Sequence, residues 1–217
     1  MRAESPADVH PSNTALYAAP GVLEGVDFLR RHRHRPGSDT VVIAPHGGGI
    51  EPGTSELAVA IAGRAHSYWL FEGLRPADNG ELHVTAENCD DPVALSLLRM
   101  ARTALAVHGC AGGTPEVLVG GRDAPLRRLL LARYRETGFR AVDAARHEGL
   151  SGTSRYNIVN RTRTRRGGQI ELSTALRASM FTRNTTPRRV ASTNEVFWRF
   201  VEATRAALTQ RSARRAA

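Results

Sequence analysis

Hydrophobic and polar positions along the chain change their period several times, and each change predicts a new element. Residues 40–45 are apolar and rich in β-branched side chains, which is typical of a buried strand. A glycine-rich turn follows, and residues 54–63 then begin with a Thr-Ser cap and continue as an apolar helical stretch that a glycine closes. This part of the chain therefore predicts a strand, a tight turn and a helix in succession.

The same alternation continues towards the end of the chain. Strands that alternate with helices indicate an α/β fold, in which helices cover both faces of a mixed, mostly parallel sheet. The further predicted strands are residues 67–72, 81–85, 103–108, 116–119, 139–142 and 168–172, and the further predicted helices are residues 22–32, 90–102, 123–136 and 194–208.

The two ends of the chain differ in composition from its centre. Residues 1–20 mix Pro, Ser, Asn and Asp without an apolar period, and residues 209–217 are polar and rich in Arg. A chain of 217 residues with 41% hydrophobic content suits one domain with a substantial core. We therefore expect a flexible N-terminal segment (1–20), a single domain (21–208) and an Arg-rich tail (209–217).

The charge of the chain is strongly positive. All 30 basic residues are Arg, against 21 acidic residues, which gives a formal net charge of +9. Biased genomic composition explains part of this balance, but a positive surface also raises the local concentration of anionic partners. Nucleic acid and acidic polymers both suit such a surface.

The chain carries no sequence signal for a disulfide scaffold or a membrane span. Cys89 and Cys110 lie far apart without a C-x-x-C pair, so one optional disulfide is left open. No stretch has 18 consecutive apolar residues, and the N-terminus lacks the apolar run of a signal peptide. We expect a soluble protein made in the cytosol, with no membrane partner, while its release from the cell and its oligomeric state are left open.

Two histidines and a glutamate follow predicted strands beside glycines. His46 ends the first strand, and the three glycines after it let the chain turn tightly enough to bring Glu51 close. His108 ends a different apolar strand, and functional groups of open α/β sheets gather at such carboxyl ends. Two His and one Glu are a standard ligand set of catalytic zinc, so we predict a Zn²⁺ site with these three ligands.

Glu171 interrupts an apolar strand, where an unpaired charge is costly unless it is used. Hydrolysis by metal-activated water requires a group that takes a proton from the water and delivers it to the leaving amine. The sequence therefore predicts Glu171 as the general acid/base.

Each of these residues also has a structural interpretation. A single histidine after a strand is more often a hydrogen-bonded turn residue than a ligand, and Glu171 could face solvent on an edge strand. Glu56 suits the charge of a helix N-terminus. The glycines after His46 could cradle a phosphate, but G-x-x-x-x-G-K-[ST] is absent and the chain has no Lys. The occurrence of both histidines in the same setting favours the metal site.

Arginines crowd residues 155–166, just before the strand that carries Glu171. In an enzyme they would pair with substrate carboxylates through bidentate contacts, and otherwise they would form a solvated face. Arg161 beside Asn160 is our favoured pair of substrate-binding residues.

These residues together resemble the phage-type poly-γ-glutamate hydrolases, which are zinc peptidases with a core similar to that of the zinc carboxypeptidases. The resemblance covers roughly residues 38–180 in order and separation. Its segments are H-G-G-x-I-E-P-G-T-S-E at residues 46–56, V-H-G at residues 107–109, N-I-V-N-R at residues 157–161 and G-x-Q-x-E-L-S at residues 167–173.

The resemblance implies that residues 21–208 form a zinc hydrolase domain. It places the metal ligands on His46, Glu51 and His108 and the general acid/base on Glu171, which agrees with the choice made from the residues themselves. Zinc carboxypeptidases proper carry their His and Glu three residues apart, whereas the two are five apart here, so the wider relation concerns the fold more than the motif.

Three functions fit the sequence to different degrees. The leading hypothesis is zinc-dependent hydrolysis of the γ-glutamyl amide bonds of poly-γ-glutamate. A second keeps this mechanism but takes small N-acyl amino acids as substrates. The third is a non-enzymatic, basic nucleic-acid-binding protein, which we consider the weakest because aromatic residues are only 6% of the chain and nothing beyond charge supports it.

Overall fold

The computed structural model describes residues 8–185 and 188–216. A single seven-stranded sheet runs through them, with helices on both of its faces. The strands are β1 (Phe28–Arg33), β2 (Thr40–Gly48), β3 (Ser67–Gly73), β4 (Thr103–Cys110), β5 (Glu116–Gly121), β6 (Arg140–Asp143) and β7 (Gly168–Ser173). The α-helices are α1 (Asn13–Tyr17), α2 (Thr54–Ala62), α3 (Pro92–Met100), α4 (Ala124–Glu136), α5 (Thr174–Ser179) and α6 (Glu195–Ala216), and short 3₁₀ turns lie at Asn79–Leu82, Ile158–Asn160 and Val190–Ser192.

The strand order is β1-β3-β2-β4-β7-β5-β6. β1 pairs antiparallel with β3 and β5 pairs antiparallel with β7, while the other neighbouring pairs are parallel. The predicted α/β fold with a mixed, mostly parallel sheet is confirmed.

A separate hydrophobic core covers each face of the sheet. On one face α2, α4 and α6 contribute buried side chains such as Leu57, Leu130 and Phe200. On the other face α1 and α3 bury Leu16 and Leu98 against the sheet. Because both faces are covered, the central strands read as continuous apolar runs, which is why their positions could be predicted.

The functional residues lie at one edge of this sheet. β2, β4 and β7 run in the same direction, so their carboxyl ends meet there. Gly48 has φ 64° at the end of β2, and a Cβ atom on it would lie 2.3 Å from the carbonyl oxygen of Gly73. Only glycine fits this turn, which leads the chain back towards β2.

The predicted helix at residues 22–32 is wrong. The structure has turns up to residue 27 and then the edge strand β1, in which only Phe28 is fully buried. The other β1 side chains are mostly Arg, and the guanidinium of Arg30 lies 4.4 Å from the centre of the Tyr17 ring. An edge strand that packs arginine stems instead of apolar side chains has no hydrophobic alternation to recognise.

The predicted strand at residues 81–85 is also wrong. Residues 81 and 82 belong to the 3₁₀ turn Asn79–Leu82, and Leu82, Val84 and Ala86 are buried in alternation. This segment pairs with no strand among the described residues, however, and it packs its apolar side chains against one core. The alternation therefore reported the burial correctly but not the sheet pairing.

The two ends of the described chain are held by contacts that composition does not reveal. Within residues 8–20, which we expected to be flexible, Leu16 of α1 is fully buried. α6 continues through residues 209–216 of the expected tail, and the Nε atom of Arg211 donates at 3.0 Å to the buried carboxylate of Asp123. Residues 1–7 and 217 of the two predicted end segments lie outside the described residues.

Cys89 and Cys110 are both free cysteines, so they do not form a disulfide with each other. Cys89 is buried and Cys110 is half-buried. Over the part of the chain that the structure covers, every helix is too short or too polar to span a bilayer.

Candidate metal centre

Three side chains from two neighbouring strands converge at the carboxyl edge of the sheet. His46 lies in β2, Glu51 lies in the turn that follows it, and His108 lies in β4. The turn is closed by the backbone N–H of Glu51, which donates to the carbonyl of His46 at 2.8 Å, and by the Thr54 hydroxyl, which donates to the carbonyl of Glu51 at 2.9 Å. The glycine-rich turn therefore brings Glu51 back to His46.

The ligand atoms of these three residues face one another. The Nδ1 atom of His46 lies 3.0 Å from a carboxylate oxygen of Glu51 and 3.1 Å from the Nδ1 atom of His108. The Nδ1 atom of His108 is 3.8 Å from the other Glu51 oxygen. All three ligand atoms lie within 4.8 Å of one another, as the donors of one metal ion must.

The hydrogen bonds around the group fit a metal ion. The carbonyl oxygen of Val84 can only accept, so the Nε2 atom of His46, 2.8 Å away, carries a proton, and Nδ1 is the nitrogen that faces Glu51 and His108. The backbone N–H of Gly109 donates to Glu51 at 2.8 Å and fixes the carboxylate. Two imidazole nitrogens and one carboxylate form the donor set of a divalent transition-metal site.

Burial and charge shift the pKa values of the group. Burial lowers the pKa of His108 to about 3, so this ring is neutral, as a ligand requires. Burial alone would also lower the pKa of His46, but the adjacent Glu51 carboxylate raises it overall. Burial opposes the charged form of Glu51, yet the pKa of this carboxyl is lowered because His46 lies beside it.

Glu171 lies beside this group. It is in register with His108 across the β4–β7 pair, and it is 5% exposed. Its carboxylate accepts a hydrogen bond from the Nε2 atom of Gln169 at 2.8 Å, and the Oε1 atom of Gln169 accepts one from Asn157 at 3.0 Å. Burial, together with the charge of Glu51, raises the pKa of Glu171 well above its usual value.

The predicted substrate-binding residues, Asn160 and Arg161, lie on the loop before β7 and not among the three converging side chains. Asn160 is buried and its amide holds its own loop, because Nδ2 donates to the carbonyls of Gly152 and Ser154 at 2.8 and 2.9 Å and Oδ1 accepts from the N–H of Gly167 at 2.9 Å. Arg161 is exposed, and its guanidinium lies 5.9 Å from the centre of the Tyr156 ring. Neither residue hydrogen-bonds to the three converging side chains.

Arg177 beside the site was not found from the sequence. It lies in α5, is 7% exposed and donates to the carbonyls of Leu172, Pro52 and Cys110 at 3.1, 2.9 and 3.4 Å. These bonds join α5 to the turn that carries Glu51 and to the end of β4. Its one sequence signal is its position six residues after Glu171.

His83 was also missed. Its ring centre lies 4.0 Å from that of His46, and its Nδ1 atom is 2.8 Å from a carboxylate oxygen of Asp8. His83 belongs to the extended segment without strand pairing, so no strand-end pattern pointed to it. The N-terminal part of the described chain thus contacts the candidate metal centre through Asp8.

The chain is similar to several known proteins. The family described as poly-gamma-glutamate hydrolase matches residues 20–203. The SPbeta prophage-derived UPF0714 protein YoqZ of Bacillus subtilis (strain 168) is 38% identical over 161 residues, which are 74% of this chain and 58% of YoqZ. The UPF0714 protein YndL of the same strain is 37% identical over 166 residues, 76% of this chain and 66% of YndL. The chain thus spans less than two thirds of the length of either relative.

Two solved structures share the fold over nearly their whole length. A bacteriophage poly-gamma-glutamate hydrolase superposes with a TM-score of 0.89 at 31% identity, covering 95% of this chain and 99% of its own. A zinc-free structure of YndL superposes with a TM-score of 0.87 at 33% identity, covering 93% of this chain and 98% of its own. The chain therefore belongs to the poly-gamma-glutamate hydrolase family.

Proposed function

We propose that the protein is a zinc-dependent hydrolase that cleaves the γ-glutamyl amide bonds of poly-γ-glutamate. The observation that carries this proposal is the convergence of His46, Glu51 and His108 beside the buried carboxylate of Glu171, in a chain of this family. Two imidazoles and one carboxylate leave a coordination position for water or substrate, as catalytic zinc sites do.

His46, Glu51 and His108 would hold the ion. When bound, Zn²⁺ supplies Lewis acidity that polarises a scissile carbonyl and makes water a better nucleophile. Val84 fixes the His46 ring through its carbonyl, and Gly109 fixes the Glu51 carboxylate through its N–H, so both ligands are oriented before an ion enters. YndL, a relative that shares this fold, has a structure described as the zinc-free apo form, which supports the choice of zinc.

Glu171 is the proposed general acid/base. Its raised pKa suits a carboxyl group that accepts a proton from the attacking water and then delivers it to the leaving amine near neutral pH. Gln169 donates to one oxygen of this carboxylate, which leaves the other oxygen available for the proton transfer. The apolar strand around Glu171 excludes bulk water from the carboxylate.

We assign substrate binding to positively charged residues. A γ-linked glutamate chain keeps a free α-carboxylate on every residue, and a guanidinium pairs with such a group through two parallel hydrogen bonds. We assign this contact to the exposed Arg161, on a loop that Asn160 holds in place. The net charge of +9 assists the approach of a polyanionic substrate.

The test measures metal content and polymer cleavage together. We expect one zinc per chain in the wild type and release of short products from poly-γ-glutamate, with loss of activity in chelator and recovery on addition of zinc. His46→Ala should lose both metal and activity, because one of three ligands is gone. His34→Ala is the matched control, since His34 is exposed.

Metal that is bound without any cleavage of poly-γ-glutamate would disprove the substrate and direct attention to small N-acyl amino acids. A wild-type protein that binds no metal and gains no activity with added zinc would disprove the whole proposal.

A further inference from the structure

A large cavity lies on the α3 face of the sheet, and none of the three proposed ligands lines it. It has a volume of about 840 Å³ and opens between residues 87–90 and the loop formed by residues 155–165. This volume is in the range of ligand pockets and is far larger than one carboxylate needs. Five guanidinium groups surround it, those of Arg99, Arg122, Arg155, Arg161 and Arg165.

The positive charge in this cavity is only partly neutralised by the protein, because two carboxylates and five guanidinium groups line it. Within the described chain, Arg99, Arg122, Arg161 and Arg165 have no carboxylate partner, and Arg155 contacts Tyr156 instead. The acidic groups on the cavity wall are Glu87 and Asp90, and Asp90 already accepts hydrogen bonds from the backbone N–H and the hydroxyl of Thr14.

Some arginines elsewhere on the surface are paired with carboxylates, whereas others among the described residues, such as Arg64 and Arg128, are not. Arg30 pairs with Glu24 at 2.6 Å, Arg75 with Asp27 at 2.7 Å and Arg140 with Glu116 at 2.7 Å. Five guanidinium groups against two carboxylates around one cavity leave an excess of positive charge, which attracts a ligand with several negative charges.

The loop that carries three of these arginines, Arg155, Arg161 and Arg165, is held by its own hydrogen bonds. The Thr162 hydroxyl donates to the carbonyl of Arg166 at 2.9 Å and accepts from its N–H at 3.1 Å, so it closes a tight turn. Arg165 has φ 53°, a conformation that side-chain-bearing residues rarely adopt and that persists only when the surroundings enforce it. A loop fixed in this way presents its arginines on one side of the cavity, so less backbone ordering is needed when a ligand binds.

Both walls of the cavity are linked to the candidate metal centre along the chain and through hydrogen bonds. The wall formed by residues 87–90 continues from Val84, whose carbonyl holds His46. The opposite wall continues into Asn157, which is linked through Gln169 to Glu171. The N–H of Ile158 donates to the carbonyl of Ala86 at 2.8 Å and joins the two walls next to the metal centre.

We propose that this arginine-lined cavity is a distal subsite for a poly-γ-glutamate chain, where the guanidinium groups bind the free α-carboxylates of residues beyond the scissile bond. Tyr156, which is 49% exposed and lies against Arg155 and Arg161, provides an apolar surface for the methylene groups of the polymer. This inference rests on the proposed function. It adds that the protein binds several residues of the polymer beyond the bond that it cleaves.

The test compares a long polymer with a short γ-glutamyl peptide. The variant Arg99→Gln/Arg122→Gln/Arg165→Gln removes three cavity charges and keeps Arg161. The control variant Arg64→Gln/Arg128→Gln/Arg146→Gln removes the same charge from exposed positions outside the cavity. We expect the cavity variant to lower the ratio of kcat/KM for the polymer to kcat/KM for the peptide about tenfold, since three exposed ion pairs are lost, mainly through a higher KM for the polymer. The control variant should change this ratio less than twofold.

An equal loss in the control variant would show that only total charge matters and would overturn the subsite. An unchanged ratio in the cavity variant would overturn it as well. Failure of the proposed function has a different signature, because the wild type would then cleave neither substrate.

Equilibrium binding of fluorescent poly-γ-glutamate to the intact chain provides a readout that needs no activity. Affinity that is about tenfold weaker in the cavity variant than in the control supports the subsite, and equal affinity overturns it. A single-stranded oligonucleotide of the same total charge that binds more tightly than the polymer, with the same dependence on the cavity arginines, would also overturn it in favour of a nucleic-acid site.

Discussion

Glu171 differs from most carboxylates of the chain because the protein surrounds it with apolar strand residues and one amide donor. Burial raises its pKa, and no arginine forms a salt bridge with it among the described residues. A carboxyl group with a raised pKa keeps its proton to higher pH than an exposed carboxyl group does, which suits it to proton transfer.

Glu171→Gln should separate metal binding from proton transfer. The amide has nearly the same shape and can still accept from Gln169, but it cannot take a proton from water, so kcat should fall about 10²- to 10⁴-fold. Zinc content, measured by elemental analysis, should stay at the wild-type level. Glu202→Gln, at an exposed position on α6, is the control and should keep full activity. Loss of zinc together with activity would instead identify Glu171 as a ligand.

The candidate site residues that the sequence indicated share one property, namely that the pattern of their sequence neighbours marks their position. His46 and His108 each end an apolar run beside glycines, and Glu171 interrupts one. Arg177 could not be predicted, because it binds backbone carbonyls of three separate segments, and a carbonyl oxygen carries no sequence signal. His83 was missed because the residues around it are extended without a pairing strand.

At the scale of elements, α5 matters for the site through Arg177 rather than through its length. A six-residue helix contributes little stability by itself, yet its arginine reaches the turn after β2 and the end of β4. The guanidinium thereby ties together the elements that carry Glu51 and His108.

Arg177→Met should destabilise the protein by about 1–3 kcal/mol, because the buried carbonyl of Leu172 and the part-buried carbonyl of Pro52 lose a guanidinium donor while the apolar volume is kept. Urea denaturation followed by circular dichroism measures this free energy of unfolding. Arg64→Met, at an exposed position, should change it by less than about 0.5 kcal/mol. Equal midpoints for the two variants would mean that the Arg177 bonds do not hold the turn.

The elements that the sequence predicted well are those whose burial alone explains their composition. β2, β4 and β7 are buried along most of their length and appear as apolar runs. β1 was predicted as a helix because an edge strand leaves most of its side chains in partial contact with solvent. Hydrophobic patterns report where water is excluded, and they report strand pairing only indirectly.

At the scale of the whole molecule, the two cores and the metal centre are separate sources of stability. Each core is formed by helices packed on one face of the sheet, and the centre occupies the carboxyl edge. The fold class followed from the alternation of elements, but the strand order did not. β7 lies between β4 and β5, so the sheet depends on pairings between segments far apart in sequence, which local patterns cannot specify.

Removal of the metal should therefore abolish activity without unfolding the protein. We expect the far-ultraviolet circular dichroism spectrum to be unchanged in chelator. The thermal midpoint should fall by roughly 5–15 °C relative to the zinc-saturated protein, since zinc stabilises only the folded state that binds it. Both quantities should return when zinc is added back. A collapse of the spectrum in chelator would show that the ion, and not the two cores, holds the fold together.

The edge strand β1 has a consequence for how copies of this protein behave in concentrated solution. Within the described chain, no strand pairs with its outer side, and an open edge can template the addition of a strand from another molecule. Arg30, Arg31, His32 and Arg33 occupy most of this strand. Charged side chains on an exposed edge disfavour the addition of a second strand, so the arginines that hid β1 from hydrophobic patterns also protect the sheet from edge-to-edge aggregation.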